Sequence, residues 1–137
     1  MEKIISIKEG DFESKGSYSE LSGYIVKTDK SEYKFGISNS QNCCEHWGHL
    51  TSEDDLDMFV GAELTSVSVV DEALKTTDLK LMDELGAYRS EHGSMFFVNI
   101  NTNIGTLQLV AYNDHNGYYG HSVVLEKDEV VIDDGYL

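Results

Sequence analysis

The chain has 137 residues, 40% of them hydrophobic, which is enough material to fold one domain around its own core. Its 25 acidic residues face only 10 basic ones, a net charge of −15, and Arg89 is the single arginine. That balance argues against direct binding of nucleic acid or of an anionic membrane, both of which recruit clusters of Lys and Arg.

The only cysteines are Cys43 and Cys44. Neighbouring cysteines bridge each other only with strain, so a reducing cytoplasm is the expected setting. Charges interrupt the apolar residues of Met1–Lys8, which leaves no secretory signal pattern, and no apolar run reaches the length of a membrane-spanning helix. Proline is absent, so Gly, Asn, Asp and Ser must make the turns. Without repeats or linkers, a single domain over 1–137 is expected, with an acidic tail at about 128–137. The charge is uneven: residues 1–50 carry −2, residues 51–91 carry −8 and residues 92–137 carry −5.

In chain order, Ser22–Thr28 and Glu32–Ser38 are rich in β-branched and aromatic residues and flank the turn-forming Asp29-Lys30-Ser31. This predicts a hairpin. Tyr33, Phe35 and Ile37 alternate with Lys34, Gly36 and Ser38, so one face is buried. Ser52-Glu53-Asp54-Asp55 resembles a helix start capped by Ser52; Leu56, Phe59 and Val60 form its apolar stripe and Gly61 stops it. Ala62–Val70 alternates like a strand. Thr76–Tyr88 reads either as a second short helix or as a loop inserted in a sheet. Met95–Asn101 and Thr106–Tyr112 flank Thr102-Asn103-Ile104-Gly105, a hairpin in which Asn and Gly supply positive φ. Tyr118–Leu125 follows as a strand after the Asn116-Gly117 turn, and Val130-Val131-Ile132 adds an edge strand. The expected class is α+β: mainly antiparallel sheet, in hairpins and a meander, with one or two short helices.

Asn42-Cys43-Cys44-Glu45-His46-Trp47-Gly48-His49 is the densest cluster of reactive side chains, with an HxxH spacing that suits zinc. Adjacent cysteines lack the spacing of structural zinc sites, because neighbouring side chains diverge on extended backbone. No metal or cofactor is therefore assigned, and no catalytic residue. A cysteine nucleophile with His115 or His121 as base lacks the elbow or family signature that would mark it. Cys44, His46, Tyr112, Asp114, His115, Tyr118, Tyr119 and His121 form a candidate small-ligand site. Trp47 is read as core.

The acidic middle has two readings. Glu53, Asp54, Asp55, Asp57, Asp71, Glu72, Asp78, Asp83 and Glu84 form either a solvated face or a partner-binding surface that imitates the phosphates of nucleic acid.

Tyr33-Lys34-Phe35, Cys43-Cys44-Glu45, Val60-Gly61-Ala62-Glu63-Leu64 and Asn116-Gly117-Tyr118-Tyr119 together resemble a family of small uncharacterised proteins of bacteriophages and bacteria. The resemblance covers roughly residues 22–125, and Cys-Cys-Glu and Asn-Gly-Tyr-Tyr are its marks. It implies no catalytic residue. It does imply a context: small acidic phage proteins act against host machinery. The expected function is inhibition of a host defence or nucleic-acid-processing protein with a basic surface, in the cytoplasm of the infected bacterium. A sponge for a nucleotide signal is the alternative, and a cysteine- or metal-dependent hydrolase comes third.

Overall fold

In the computed structural model, which describes residues 2–14, 20–39, 46–53, 55–70, 93–114 and 121–137, nine strands form one antiparallel sheet. The strands are β1 (Glu2–Phe12), β2 (Leu21–Thr28), β3 (Glu32–Ser38), β4 (His46–Thr51), β5 (Glu63–Val70), β6 (Gly93–Thr102), β7 (Gly105–Asp114), β8 (Ser122–Lys127) and β9 (Val130–Tyr136). Their order across the sheet is β4-β7-β6-β5-β1-β2-β3-β8-β9.

β1 belongs to both halves of this sheet. Glu2 and Lys3 pair with Leu64 and Glu63 of β5, whereas Ile4 to Phe12 pair with β2, with a register shift between Ile4 and Ser6. The strand turns a corner there, and the sheet folds over on itself. Period-two alternation then directs apolar side chains inward from both halves. Tyr24, Val26, Tyr33, Phe35, Ile37, Val123 and Leu125 meet Leu64, Val98, Ile100, Leu107, Leu109 and Ala111 in one buried cluster. Phe35 and Phe96 stack across the interface at 5.8 Å. Each such side chain contributes about 1.5–3 kcal/mol by leaving water.

Two glycines bring the backbones of β2 and β3 close. Gly23 and Gly36 are cross-strand partners, and a Cβ on Gly23 would collide with the Phe35 carbonyl oxygen. A Cβ on Gly36 would lie 2.8 Å from Phe12 Cζ. The Phe12 ring therefore sits against β3, where it joins Leu21 and Val124 in a second small cluster.

The antiparallel sheet and the β2–β3 and β6–β7 hairpins match the expectation. The helices do not. Where a helix capped by Ser52 is expected, the chain makes one 3-10 turn, Leu56–Phe59, capped by Asp55. Ser52 is engaged elsewhere: its hydroxyl accepts from Gln108 N at 2.9 Å. Phe59 is fully buried and Leu56 only partly, too little to hold a longer amphipathic helix. No α-helix occurs among the described residues, and Thr76–Tyr88 lies outside them.

The meander is also corrected. β8 does not continue beside β7 but pairs with β3, Tyr33 opposite Lys127 through Ile37 opposite Val123. Its inward Val123 and Leu125 extend the apolar row of Ile37 and Phe35. In the β6–β7 turn only Gly105 has positive φ, at +138°. Asn103 acts through its side chain, whose Oδ1 accepts from Glu63 N at 2.9 Å.

Candidate functional site

The two ends of the folded sheet carry different chemistry. At one end β4 passes over β2 and β3. His49 Nδ1 lies 2.9 Å from the Tyr24 hydroxyl, with the rings edge to face at 4.9 Å. Burial pushes the Tyr24 phenol far up, and the neighbouring Glu9 carboxylate adds to this. Burial also lowers the His49 imidazole, against the pull of Glu9 and Asp11. The pair is therefore neutral near pH 7: a protonated phenol beside an uncharged imidazole. Glu9 is the register partner of Tyr24, and Asp11 that of Ser22, whose hydroxyl donates to the Asp11 carboxylate.

Two residues back on β4, the Trp47 ring lies 5.2 Å from the His121 ring. His121 is buried, and its Nδ1 donates to Ser38 O at 2.6 Å. Its backbone exchanges two 2.8 Å hydrogen bonds with Leu137, whose carbonyl also accepts from Asn113 Nδ2. Half-buried Tyr112 packs over Gly48, where a Cβ would meet its hydroxyl at 2.7 Å. Burial raises the Tyr112 phenol.

The candidate ligand residues thus divide. The register sets His46 opposite Asp114, Trp47 opposite Asn113 and Gly48 opposite Tyr112, and Trp47 reaches His121. Segments some 70 positions apart in sequence are adjacent here. Cys44, His115, Tyr118 and Tyr119 lie outside the described residues, as does Cys43. Trp47, expected as core, is only half-buried, though it packs against the core. HxxH gathers imidazoles on a helix, but His46 to His49 is part of a strand. Among the described residues, no group of three His, Cys, Asp or Glu side chains is placed to hold a metal ion. Tyr24, Glu9 and Asp11 went unread in the sequence, because only cross-strand register brings them to His49.

At the other end, turns lie side by side around the β1 corner. Lys3 N donates to Asp29 Oδ1, Glu32 N to Asp128 Oδ1, and Gly61 N to Ile4 O. Glu2 accepts from the Thr28 hydroxyl at 2.8 Å and the Tyr33 hydroxyl at 3.1 Å. Burial alone would raise the Glu2 carboxyl, but hydrogen bonds from Ser31, Thr28 and Tyr33, with Lys127 nearby, hold it below the usual value. Tyr33 is pushed up to about 12 by burial and by Glu2. Glu2, Asp29, Glu32, Asp55, Asp57, Glu63 and Asp128 stand here against Lys3, Lys30 and Lys127.

Of the acidic middle, Asp55 and Asp57 are exposed on the 3-10 turn and Glu53 is half-buried. Asp54, Asp71, Glu72, Asp78, Asp83 and Glu84 lie outside the described residues. No helix among the described residues is long and apolar enough to cross a membrane.

Residues 1–125 match the family described as Domain of unknown function (DUF7448), and the chain belongs to that family. No curated protein matches the chain, and no solved structure does.

Proposed function

We propose that the protein acts by binding and not by catalysis: a bacteriophage accessory protein that inhibits a host defence or nucleic-acid-processing protein by covering its basic surface. The acid-rich end supports this reading. Its carboxylates sit on short turns and on the strand ends beside them, which hydrogen bonds fasten together, so they present fixed negative charge to a partner. Fixed charge attracts a basic groove over a distance, as the phosphates of nucleic acid do. The setting is the cytoplasm of the infected bacterium.

The test is capture from host lysate at low salt, followed by washing. The partner should leave as salt rises, because the screening length falls from about 10 Å at 0.1 M to about 3 Å at 1 M. Added duplex DNA should displace it too. Asp57→Asn combined with Glu63→Gln should weaken capture several-fold. A partner retained through 1 M salt and indifferent to DNA sinks the reading.

A second reading rests on the opposite end. It is a sponge for a planar small ligand such as a nucleotide signal, in which half-buried Trp47, His49 and Tyr112 supply the aromatic contact while Tyr24 and His121 stay buried behind them. Thermal shift against nucleotides decides it: no stabilisation at millimolar ligand removes it.

A further inference from the structure

The join between the 3-10 turn and β5 sets large apolar side chains in water. Ile4 donates its N–H to Ala62 O at 2.9 Å, and its carbonyl accepts from Gly61 N at 2.8 Å. Gly61, with φ of +90°, and Ala62 therefore lie opposite one residue of β1, which is a β-bulge. The next pair outward sets Val60 across from Ile5. Ile4 and Phe59 point into the core, so their neighbours Ile5, Met58 and Val60 turn away from it. These three are 50%, 49% and 42% exposed. The β6–β7 tip, which Asn103 fastens to Glu63, brings exposed Ile104 to the same end.

The fold asks for no apolar side chain at these positions: serine or threonine would fit them without loss to the core. Scattered singly, exposed apolar residues mean little, but grouped ones mark a contact surface. Exposed Asp55 and Asp57 precede the group on the 3-10 turn, and exposed Glu63 follows it, with Lys3 as the register partner of Glu63. A second copy is a poor occupant, because two chains of net charge −15 repel as these ends approach. A basic partner is attracted instead.

We infer that Ile5, Met58 and Val60 form the apolar anchor of the acid-rich end. They receive an apolar side chain from a basic, amphipathic segment of the partner protein, whose Lys or Arg residues reach Asp55, Asp57 and Glu63. The inference rests on the binding function proposed above and adds that charge alone does not hold the partner. The carboxylates speed encounter, and the covered apolar contact slows release.

The experiment measures fluorescence anisotropy of two labelled peptides against the full chain. One is a helical peptide of lysine with leucine at helical spacing; the other has every leucine replaced by serine, at equal charge. The leucine peptide should bind about tenfold tighter, the worth of covering one large apolar side chain. Met58→Ser with Val60→Ser alters only exposed side chains, so the fold persists. It should abolish that advantage and leave the serine peptide's affinity unchanged. Equal affinity of the two peptides, or an advantage that survives in the double variant, overturns the anchor and leaves the charge reading standing. Binding of both peptides that ignores salt and Asp57→Asn with Glu63→Gln removes the charge reading instead, and no binding of either peptide removes both.

Discussion

The strands of the two halves of the sheet handle polarity differently. In β4, β5, β6 and β7 the only charged residues are Glu63 and Asp114. Polar links there are amide to hydroxyl or amide to amide: Asn101 with Ser66 and Thr106, and Gln108 with Asn99. In β1, β2, β3, β8 and β9 every strand carries charge, and carboxylates take part in the side-chain links. Ser22 binds Asp11, Thr28 binds Glu2, and Lys34 stands beside Glu126. Neutral links ignore salt and pH, whereas charged ones do not. The response of this molecule to salt should therefore arise in the charged half, and its response to pH there and at His49, the β4 residue that bonds Tyr24 of that half.

The largest break in that comparison should come from Gly23→Ala. It drives a methyl group into the Phe35 carbonyl oxygen and should cost about 4 kcal/mol in urea unfolding, at any salt. Lys34→Met should cost about 3 kcal/mol, because it leaves Glu126 buried without its cation. In the neutral half, Ile100→Val should cost about 1 kcal/mol, with no change between low and high salt.

Titration separates two smaller effects. His49 has a lowered folded value, so the unfolded chain takes up its proton first. Stability should be full above pH 6.5 and fall as pH drops below it, a limb that His49→Gln removes. Glu2 likewise has a lowered folded value, so its contribution should be lost only as pH falls below 4.5, a limb that Glu2→Gln removes. Unfolding midpoints measured from pH 8 to pH 3 check both. A His49→Gln profile that keeps its upper limb would shift the response to other groups. The smallest effect is Asn101→Ala, about 0.5–1 kcal/mol and independent of pH.

The sequence carried local structure well and long-range pairing poorly. Glu32–Ser38 matches β3 to the residue because aromatic and polar positions alternate there. β4 was hidden because Cys, His and Trp drew the reading toward metal chemistry, although Trp47 and His49 both face the core side of a strand. The short helix failed because acids near a serine also suit a 3-10 turn, which Phe59 and partly buried Leu56 suffice to anchor. The Asp128-Glu129 turn, with φ of +51° and +68°, places acids where Asn-Gly would have announced a hairpin. At the candidate sites, the histidine and tyrosine types were visible, but not their partners. Tyr24 meets His49, and Lys34 meets Glu126, only through register and folding over, which no one-dimensional pattern encodes.

The pairing of β3 with β8 also has a kinetic consequence. Tyr33 must find Lys127 across most of the chain, whereas Thr102 and Gly105 meet across a two-residue turn. Closing the long loop costs entropy before its contacts give anything back. The β6–β7 hairpin should form early and the β8–β9 hairpin should dock late. With no proline in the chain, peptide-bond isomerisation has no usual site, so a slow refolding phase would report that docking.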